Sequence, residues 1–172
     1  PAVARAAMDS GVATRPITDF VAYREKLTQF VFRTGLVMKP IFDRARADLK
    51  RVAYAEGEEE NVLRAVQTVV DEGLAKPVLI GRPAVIAMRI ERAGLRIRPG
   101  VDVEITNVDD DPRFPEYWQH YLRKNERRGV TPSMAKAIVR SRATVIGSIM
   151  LDRGEVDAMI CGTVGRYHSK LK

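Results

Sequence analysis

Cysteine and long apolar runs are both scarce in this sequence, and each scarcity limits where the protein can work. A single cysteine among 172 residues cannot form an internal disulfide framework, which favours the reducing cytoplasm. No apolar run approaches the roughly 20 residues that cross a bilayer, so we expect no membrane partner. The first residues also lack the charged start, apolar stretch and cleavage site of a signal peptide.

An initiator methionine is missing as well, because the chain begins with Pro1. We therefore expect this sequence to be a piece of a longer protein. Its apolar fraction of 45% is normal for a globular protein and argues against disorder. A length of 172 residues suits one domain with a real core, or parts of two domains.

The charges are unbalanced, with 29 Lys and Arg residues against 22 Asp and Glu, a formal net charge of +7. Such a surface favours anionic partners such as nucleic acid or phosphorylated metabolites. Most basic residues alternate with acidic ones, which is typical of solvated helix faces, and only Arg123–Arg128 is dense. The nearby Tyr117, Trp118 and Tyr121 could form a stacking platform for nucleic acid. At helical spacing, however, such aromatic residues more often form half of a core.

Helix signals dominate the first 49 residues. Asp19 is placed to cap a helix that carries apolar residues on one face. Pro40 should end or kink the helix in which it occurs. We expect residues 19–49 to form a helical connector.

Strands and helices alternate from Lys50 onward. The strand-type segments read RVAYAEG, KPVLIG, VDVEITN and VDAMICG, and Thr131 followed by Pro132 predicts the start of a helix. The segment ATVIGSIMLDRG suits a strand or a buried helix. This alternation predicts an α/β fold with a parallel sheet between two layers of helices. Ligands of such sheets bind beyond the carboxyl ends of the strands, here at AEGEE, IGRP and CGTVGRYHSK.

The last of these three segments raises the question of catalysis. Cys161 and His168 could meet as nucleophile and base, but a buried cysteine at the end of an apolar strand is usually packing. We therefore predict no catalytic pair. The Gly162–Gly165 turn could bring backbone N–H groups close to phosphate, although it matches neither common glycine-rich phosphate motif. We expect Glu58–Glu60 in the first turn of a helix, where the helix dipole favours negative charge. Neither this acidic run nor Asp109–Asp111 has a histidine at ligand spacing, so we expect no metal site.

Several blocks of the sequence resemble known enzymes in the same order. The blocks KRVAYAEGEEENVLRAVQTVVDEGLAKPVLIGRP, RRGVTPSMA and GEVDAMICG resemble the N-terminal part of the phosphate acetyltransferase (phosphate acetyl/butyryltransferase) family. The whole chain is still more similar to hybrid NADP-dependent malic enzymes, in which a malic enzyme domain precedes a phosphotransacetylase-like domain. PAVARAAMDSGVATRPITDFVAYREKL and DAMICGTVGRYH carry that resemblance.

This resemblance implies a domain plan and a fold. Residues 1–18 should end the malic enzyme domain, residues 19–49 should connect, and residues 50–172 should form the N-terminal part of a truncated phosphotransacetylase-like fold. The parent would oxidatively decarboxylate malate to pyruvate with NADP and a divalent metal, Mg or Mn. The residues for that chemistry would lie before Pro1, so no cofactor is expected in this piece.

The resemblance also implies that transferase chemistry is lost. The catalytic serine and aspartate of the family would lie beyond Lys172. In the family turn motif S-G-A-x-H-[ST]-x-x-D-x-x-R-P, Gly165 replaces the histidine, Ser169 the aspartate and Lys172 the arginine. Asn125 stands at the position of a further family arginine. The resemblance therefore implies a non-catalytic, acyl-CoA-responsive regulatory domain.

The expected partners are acetyl-CoA or a related acyl-CoA, the malic enzyme domain of the same chain, and further copies in a homo-oligomer. The residues expected to contact acyl-CoA or phosphate are Gly162, Thr163, Gly165, Arg166, Lys172, Arg127 and Arg128. One alternative is an active domain that converts acetyl phosphate and CoA to acetyl-CoA and phosphate. A second is a basic nucleic-acid-binding module, which we do not favour.

We predict that residues 1–172 produced alone self-associate, because a sheet ending at its fourth strand would expose a strand edge and an apolar face. Sedimentation velocity measures this directly. A monomer at all concentrations would contradict the prediction.

Overall fold

The computed structural model describes residues 2–31, 33–107 and 109–165. They divide into two compact units, Pro1–Arg44 and Ala45–Lys172. The helices are α1 (Ala2–Asp9), α2 (Phe20–Val31), α3 (Arg33–Ala47), α4 (Glu60–Asp71), α5 (Pro83–Arg92), α6 (Phe114–Asn125), α7 (Pro132–Ser141) and α8 (Ala143–Asp152). The strands are β1 (Arg51–Tyr54), β2 (Lys76–Ile80), β3 (Glu104–Thr106) and β4 (Ala158–Ile160). None of the described helices is long and apolar enough to cross a membrane.

The first unit is helical. Asp19 caps α2, since its Oδ1 accepts hydrogen bonds from the amides of Val21 and Ala22 at 2.8 and 3.0 Å. These two amides belong to the first turn of the helix, where no carbonyl of the helix itself can accept from them. The predicted cap is therefore confirmed.

Pro40 does not end its helix, which excludes one of the two outcomes, an end or a kink, that the sequence predicted. It lies inside α3, which continues to Ala47. Proline removes one hydrogen bond, and its ring crowds the carbonyl four residues earlier, yet the helix extends on both sides of Pro40.

A four-stranded parallel sheet forms the centre of the second unit. Its strand order is β3-β2-β1-β4, so β1 lies between β2 and β4. In the register of the sheet, Ala53 pairs with Val78 on one side and with Met159 on the other. The ambiguous segment at residues 143–152 is the helix α8. The predicted α/β class with a parallel, helix-flanked sheet is confirmed.

Side chains that alternate along each strand build two cores, one on each face of the sheet. Ala53, Val78 and Ile80 pack in the core that α6, α7 and α8 cover. Tyr54 and Leu79, their immediate neighbours in sequence, pack in the core that α4 and α5 cover. Because successive strand residues point to opposite faces, two buried faces require the continuous apolar runs seen in the sequence.

The aromatic residues of α6 belong to the first of these cores. Tyr117 is 1% exposed, and its hydroxyl donates a hydrogen bond to Glu155 Oε2 at 2.7 Å. Trp118 and Tyr121 are half-buried against the same core, and the Nζ atom of Lys136 lies 4.6 Å from the Trp118 ring centroid. These side chains therefore pack against the core, which is the role that aromatic residues at helical spacing more often have.

The start of α7 follows the pattern expected from the sequence. Thr131 Oγ1 accepts a hydrogen bond from the Met134 amide at 3.3 Å, and Pro132 is the first residue of the helix. Proline fits this position because the amide it lacks would have no partner within the helix. The predicted helix start is confirmed.

We predict that Leu63→Ala lowers the free energy of unfolding by about 2–5 kcal/mol. Leu63 lies on the buried face of α4 and is fully buried, so its truncation leaves a cavity. Leu151→Ala is the matched control, since Leu151 is 41% exposed and should change stability by about 1 kcal/mol or less. Urea unfolding followed by circular dichroism compares the two. Equal losses would contradict the assignment of the core.

Candidate functional site

A cleft opens at the carboxyl edge of the sheet, beside the end of β1. Strand β2 lies on one side of β1 and β4 lies on the other, so the strand order reverses at β1. Such switch points are the usual ligand sites of open α/β sheets. The cleft has a volume of about 270 Å³ and is lined by the loop Ala55–Glu59, Ile80, Gly81, Arg140, Ser141, Ala143 and Val164.

The loop after β1 is attached to the strands on both sides. The Ala55 amide donates to the carbonyl of Ile160 at 3.0 Å, and the Gly57 amide donates to the carbonyl of Ile80 at 3.2 Å. A Cβ atom on Gly57 would lie 2.9 Å from both the N and the O atom of Ile80. Only glycine therefore fits where this loop passes the end of β2.

Glu58 binds the start of the neighbouring helix α5. Its Oε1 accepts from the amide and the Nε of Arg82, both at 2.9 Å, and its Oε2 accepts from Arg82 Nη2 at 2.8 Å. Arg82 lowers the pKa of Glu58 through these bonds, although burial acts in the opposite direction. We predicted from the sequence that Glu58 lies in the first turn of α4, but that helix begins at Glu60.

Glu56 binds the turn that follows β4. Both of its carboxylate oxygens accept from the Gly162 amide, each at 3.1 Å. Gly162 has a φ of +101°, in the left-handed region that side chains disfavour. The amide that the sequence proposed as a phosphate donor is therefore already bonded to a carboxylate of its own chain.

Arg140 at the corner between α7 and α8 is a cleft residue that the sequence reasoning missed. Its Cζ atom lies 4.8 Å from the ring centroid of Phe114, and it is the one cation among the described residues that line the cleft. Ala143 also lines the cleft and begins α8, whose N-cap residue Arg142 makes no side-chain cap hydrogen bond. A helix start favours anions, so this corner is the electropositive side of the cleft.

The predicted ligand-contacting residues fall into three groups. Gly162, Thr163 and Gly165 follow β4, in the same turn as the cleft residue Val164. Arg166 and Lys172 lie outside the described residues, as does His168.

Arg127 and Arg128 lie in a short 3-10 helix that joins α6 to α7. The cleft residues Arg140 and Ser141 are at the other end of α7, which has ten residues and is therefore about 15 Å long. The structure does not bring these two arginines to the cleft. Their contact with a ligand stays a prediction.

Cys161 is exposed, so the expectation that it is buried as a packing residue is wrong. It directly follows the edge strand β4, whose Ile160 is itself 51% exposed. Among the described residues, no group of three or more His, Cys, Asp or Glu side chains could hold a metal ion.

A second depression, of about 390 Å³, lies at the opposite edge of the sheet, where the strands begin. Its charged lining includes Arg51 and Glu104, which pair at 2.8 Å, and Asp102, which pairs with Arg98 at 3.0 Å. The amino edge of a parallel sheet is not its usual ligand edge. The smaller cleft at the carboxyl edge is therefore the stronger candidate.

Most of the chain matches a known protein family. Residues 36–172 match the family model described as Phosphate acetyl/butaryl transferase. The NADP-dependent malic enzyme of Salmonella typhimurium is 60% identical over 168 residues, which cover 98% of this chain and 22% of that protein. The NAD-dependent malic enzyme of Rhizobium meliloti is 55% identical over 173 residues, covering 100% and 22%. The predicted resemblance to malic enzymes is confirmed, and the chain spans about a fifth of the length of these curated relatives.

Among solved structures, a phosphotransacetylase from Streptococcus pyogenes is similar, with a TM-score of 0.65. The sequence identity is 20%, and the match covers 78% of this chain and 40% of that chain. At this identity the likeness shows the fold alone. It agrees with the parallel, helix-flanked sheet described above.

We predict that Glu58→Gln makes stability less dependent on pH in the acid range. The folded pKa of Glu58 lies below its ordinary value of 4.5, so its stabilisation is complete above that value and is lost as pH falls through the folded pKa. Urea midpoints should therefore fall less steeply from about pH 5 to about pH 3 in the variant than in the wild type. Arg82→Ala should reduce the slope in part, because the backbone amide of residue 82 still donates to Glu58, and the double variant should match Glu58→Gln. Parallel slopes for all four proteins would contradict the pairing.

Proposed function

Because the chain belongs to the phosphate acetyl/butaryl transferase family, we propose that it is an acyl-CoA-responsive, non-catalytic regulatory part of a malic enzyme. The observation that carries the proposal is the 60% identity to an NADP-dependent malic enzyme over 98% of this chain. In the proposal, another domain of the same protein oxidatively decarboxylates malate to pyruvate. NADP and a divalent metal, Mg or Mn, bind that domain, and the protein is a cytoplasmic homo-oligomer.

The cleft is suited to hold one part of an acyl-CoA molecule. Its volume of about 270 Å³ lies below the roughly 300–1,000 Å³ of typical ligand pockets, so these residues supply part of a binding site. Arg140 and the start of α8 favour the phosphate-bearing portion of the ligand. The charge of Glu58 is met by Arg82 at 2.8 Å, and that of Glu59 by Arg89 at 3.5 Å, which reduces their repulsion of an anion.

The last residues of the sequence support binding without catalysis. Gly165, Ser169 and Lys172 stand where the related transferases carry histidine, aspartate and arginine. Each lost polar contact to a transition state can cost about 3 kcal/mol. Lysine keeps the positive charge of arginine but loses its bidentate fork. A ligand held by charge and shape would tolerate these replacements better than a reaction would.

The response reaches the malic enzyme domain through residues 19–49, in this proposal. Most of the described part of that segment is helical, in α2 and α3. Regulation of this kind is reciprocal, since each ligand must change the affinity for the other by the same factor.

An active phosphate acetyltransferase is the second candidate. The specific observation in its favour is the family match, which covers residues 36–172 and carries the name of that reaction. It requires the complete protein to convert acetyl phosphate and CoA to acetyl-CoA and phosphate. Absence of turnover by folded protein would remove this candidate.

We predict that acetyl-CoA inhibits malate oxidation by the complete protein and that malate changes the acetyl-CoA affinity by the same factor. Arg140→Ala should weaken acetyl-CoA binding about tenfold, the loss expected for a charge-assisted hydrogen bond. Calorimetry measures the affinity, and steady-state kinetics measures the inhibition.

Arg128→Ala tests the other location predicted from the sequence, because it removes the same charge from the far end of α7. A loss confined to Arg128→Ala would move the binding site away from the cleft. Kinetics that do not respond to acetyl-CoA would overturn the regulatory proposal itself.

A further inference from the structure

Glu56 lies at the centre of the switch point, and its backbone is held from both sides. Its neighbour Ala55 is hydrogen-bonded to the end of β4, and its neighbour Gly57 is hydrogen-bonded to the end of β2. The close approach of Gly57 to the backbone of Ile80 leaves this part of the loop little room to shift. The position of Glu56 in the cleft is therefore set by the sheet itself.

The side chain of Glu56 crosses the cleft to the turn after β4. Its two carboxylate oxygens lie at the same distance, 3.1 Å, from the Gly162 nitrogen. The amide proton is thus shared between the two oxygens of one carboxylate. Hydrogen bonds to an ionised acceptor are stronger than neutral ones, so this contact holds the turn against the loop after β1.

An amide in this position is the kind of donor that anionic ligands use. It follows a parallel strand at a switch point and belongs to a glycine-containing turn. In this structure the donor has an internal anion instead. A phosphate bound to the same amide would stand next to the Glu56 carboxylate, and two like charges in one site repel strongly.

We propose that Glu56 is an internal occupant of the anion position at Gly162, and that a phosphate-bearing ligand must displace its carboxylate to bind there. The inference rests on the proposed function only in taking the ligand to be a phosphate ester or acyl phosphate. Displacement breaks the hydrogen bond between Glu56 and the Gly162 amide. Occupancy of the cleft thereby transfers the turn at residues 162–165 from the loop after β1 to the ligand.

Glu59 supplies a matched control. It lines the same cleft and carries the same charge, but its carboxylate lies 3.5 Å from Arg89 Nη1. Removing Glu59 changes the charge of the cleft without removing the acceptor of the Gly162 amide. A comparison of Glu56→Ala with Glu59→Ala therefore separates a specific occupant from a general electrostatic effect.

The first measurement is hydrogen exchange of the Gly162 amide in the complete protein, resolved by mass spectrometry with fragmentation. Glu56→Ala should speed this exchange about tenfold, as expected for the loss of one charge-assisted hydrogen bond. Glu59→Ala should leave it unchanged. Unchanged exchange in Glu56→Ala would overturn the proposal.

The second measurement is the affinity for inorganic phosphate, titrated without any acyl-CoA. Glu56→Ala should bind phosphate about tenfold more tightly than the wild type, and Glu59→Ala should show a much smaller gain. Equal gains in the two variants, or no gain in Glu56→Ala, would overturn the proposal. Because neither measurement uses malate or acetyl-CoA, failure of the regulatory function is recorded separately.

Glu56→Gln covers the case in which the alanine variant does not fold. Glutamine keeps the length of the side chain and one oxygen acceptor but removes the charge. We expect exchange at Gly162 between that of the wild type and that of Glu56→Ala, with phosphate affinity raised. Phosphate affinity equal to that of the wild type would contradict the inference.

Discussion

The close approach of Gly57 to the end of β2 is the constraint on which the candidate site depends. With no space for a Cβ atom beside Ile80, the loop after β1 can follow its path along the end of β2 only because residue 57 is glycine. This passage sends Glu56 toward β4 and Glu58 toward α5, two positions apart in sequence. Gly57 thus permits the loop path on which Glu56 binds the Gly162 amide and Glu58 binds Arg82. The loop is shaped by the backbone of β2 before any ligand is considered.

The sheet that supplies this constraint is buried on both faces, and its central strand shows the consequence. Ala53 packs under the helices of one layer and Tyr54 under those of the other. A shift of register by one residue would exchange these two side chains between cores of different shape. The register of β1 against β2 and β4 is therefore strongly specified. It in turn fixes where the loop after β1 leaves the sheet.

Local patterns in the sequence predicted local structure well. The alternation of apolar segments predicted the parallel sheet, and Asp19 predicted a helix start, because both signals act within a few residues. Tertiary contacts were less accessible. Glu58 was expected in the first turn of a helix, but α4 begins at Glu60. Glu58 instead pairs with Arg82, 24 positions away in the sequence. Pro40 was expected to end or kink a helix that in fact continues past it to Ala47, and Arg140 gave no motif signal. Its role depends on a helix corner that only the fold brings to the cleft.

Net charge is a poor guide to what this cleft can bind. The chain carries a formal charge of +7, yet three glutamates line the cleft beside a single described arginine. What matters is how each carboxylate is engaged. Glu58 and Glu59 face arginines, and Glu56 faces a backbone amide, so each negative charge already has a donor in the same chain. An anionic ligand must therefore compete with internal carboxylates for the hydrogen-bond donors of the site. Its affinity depends on the free energy needed to displace those carboxylates. The acidic lining and an anionic ligand are compatible for that reason.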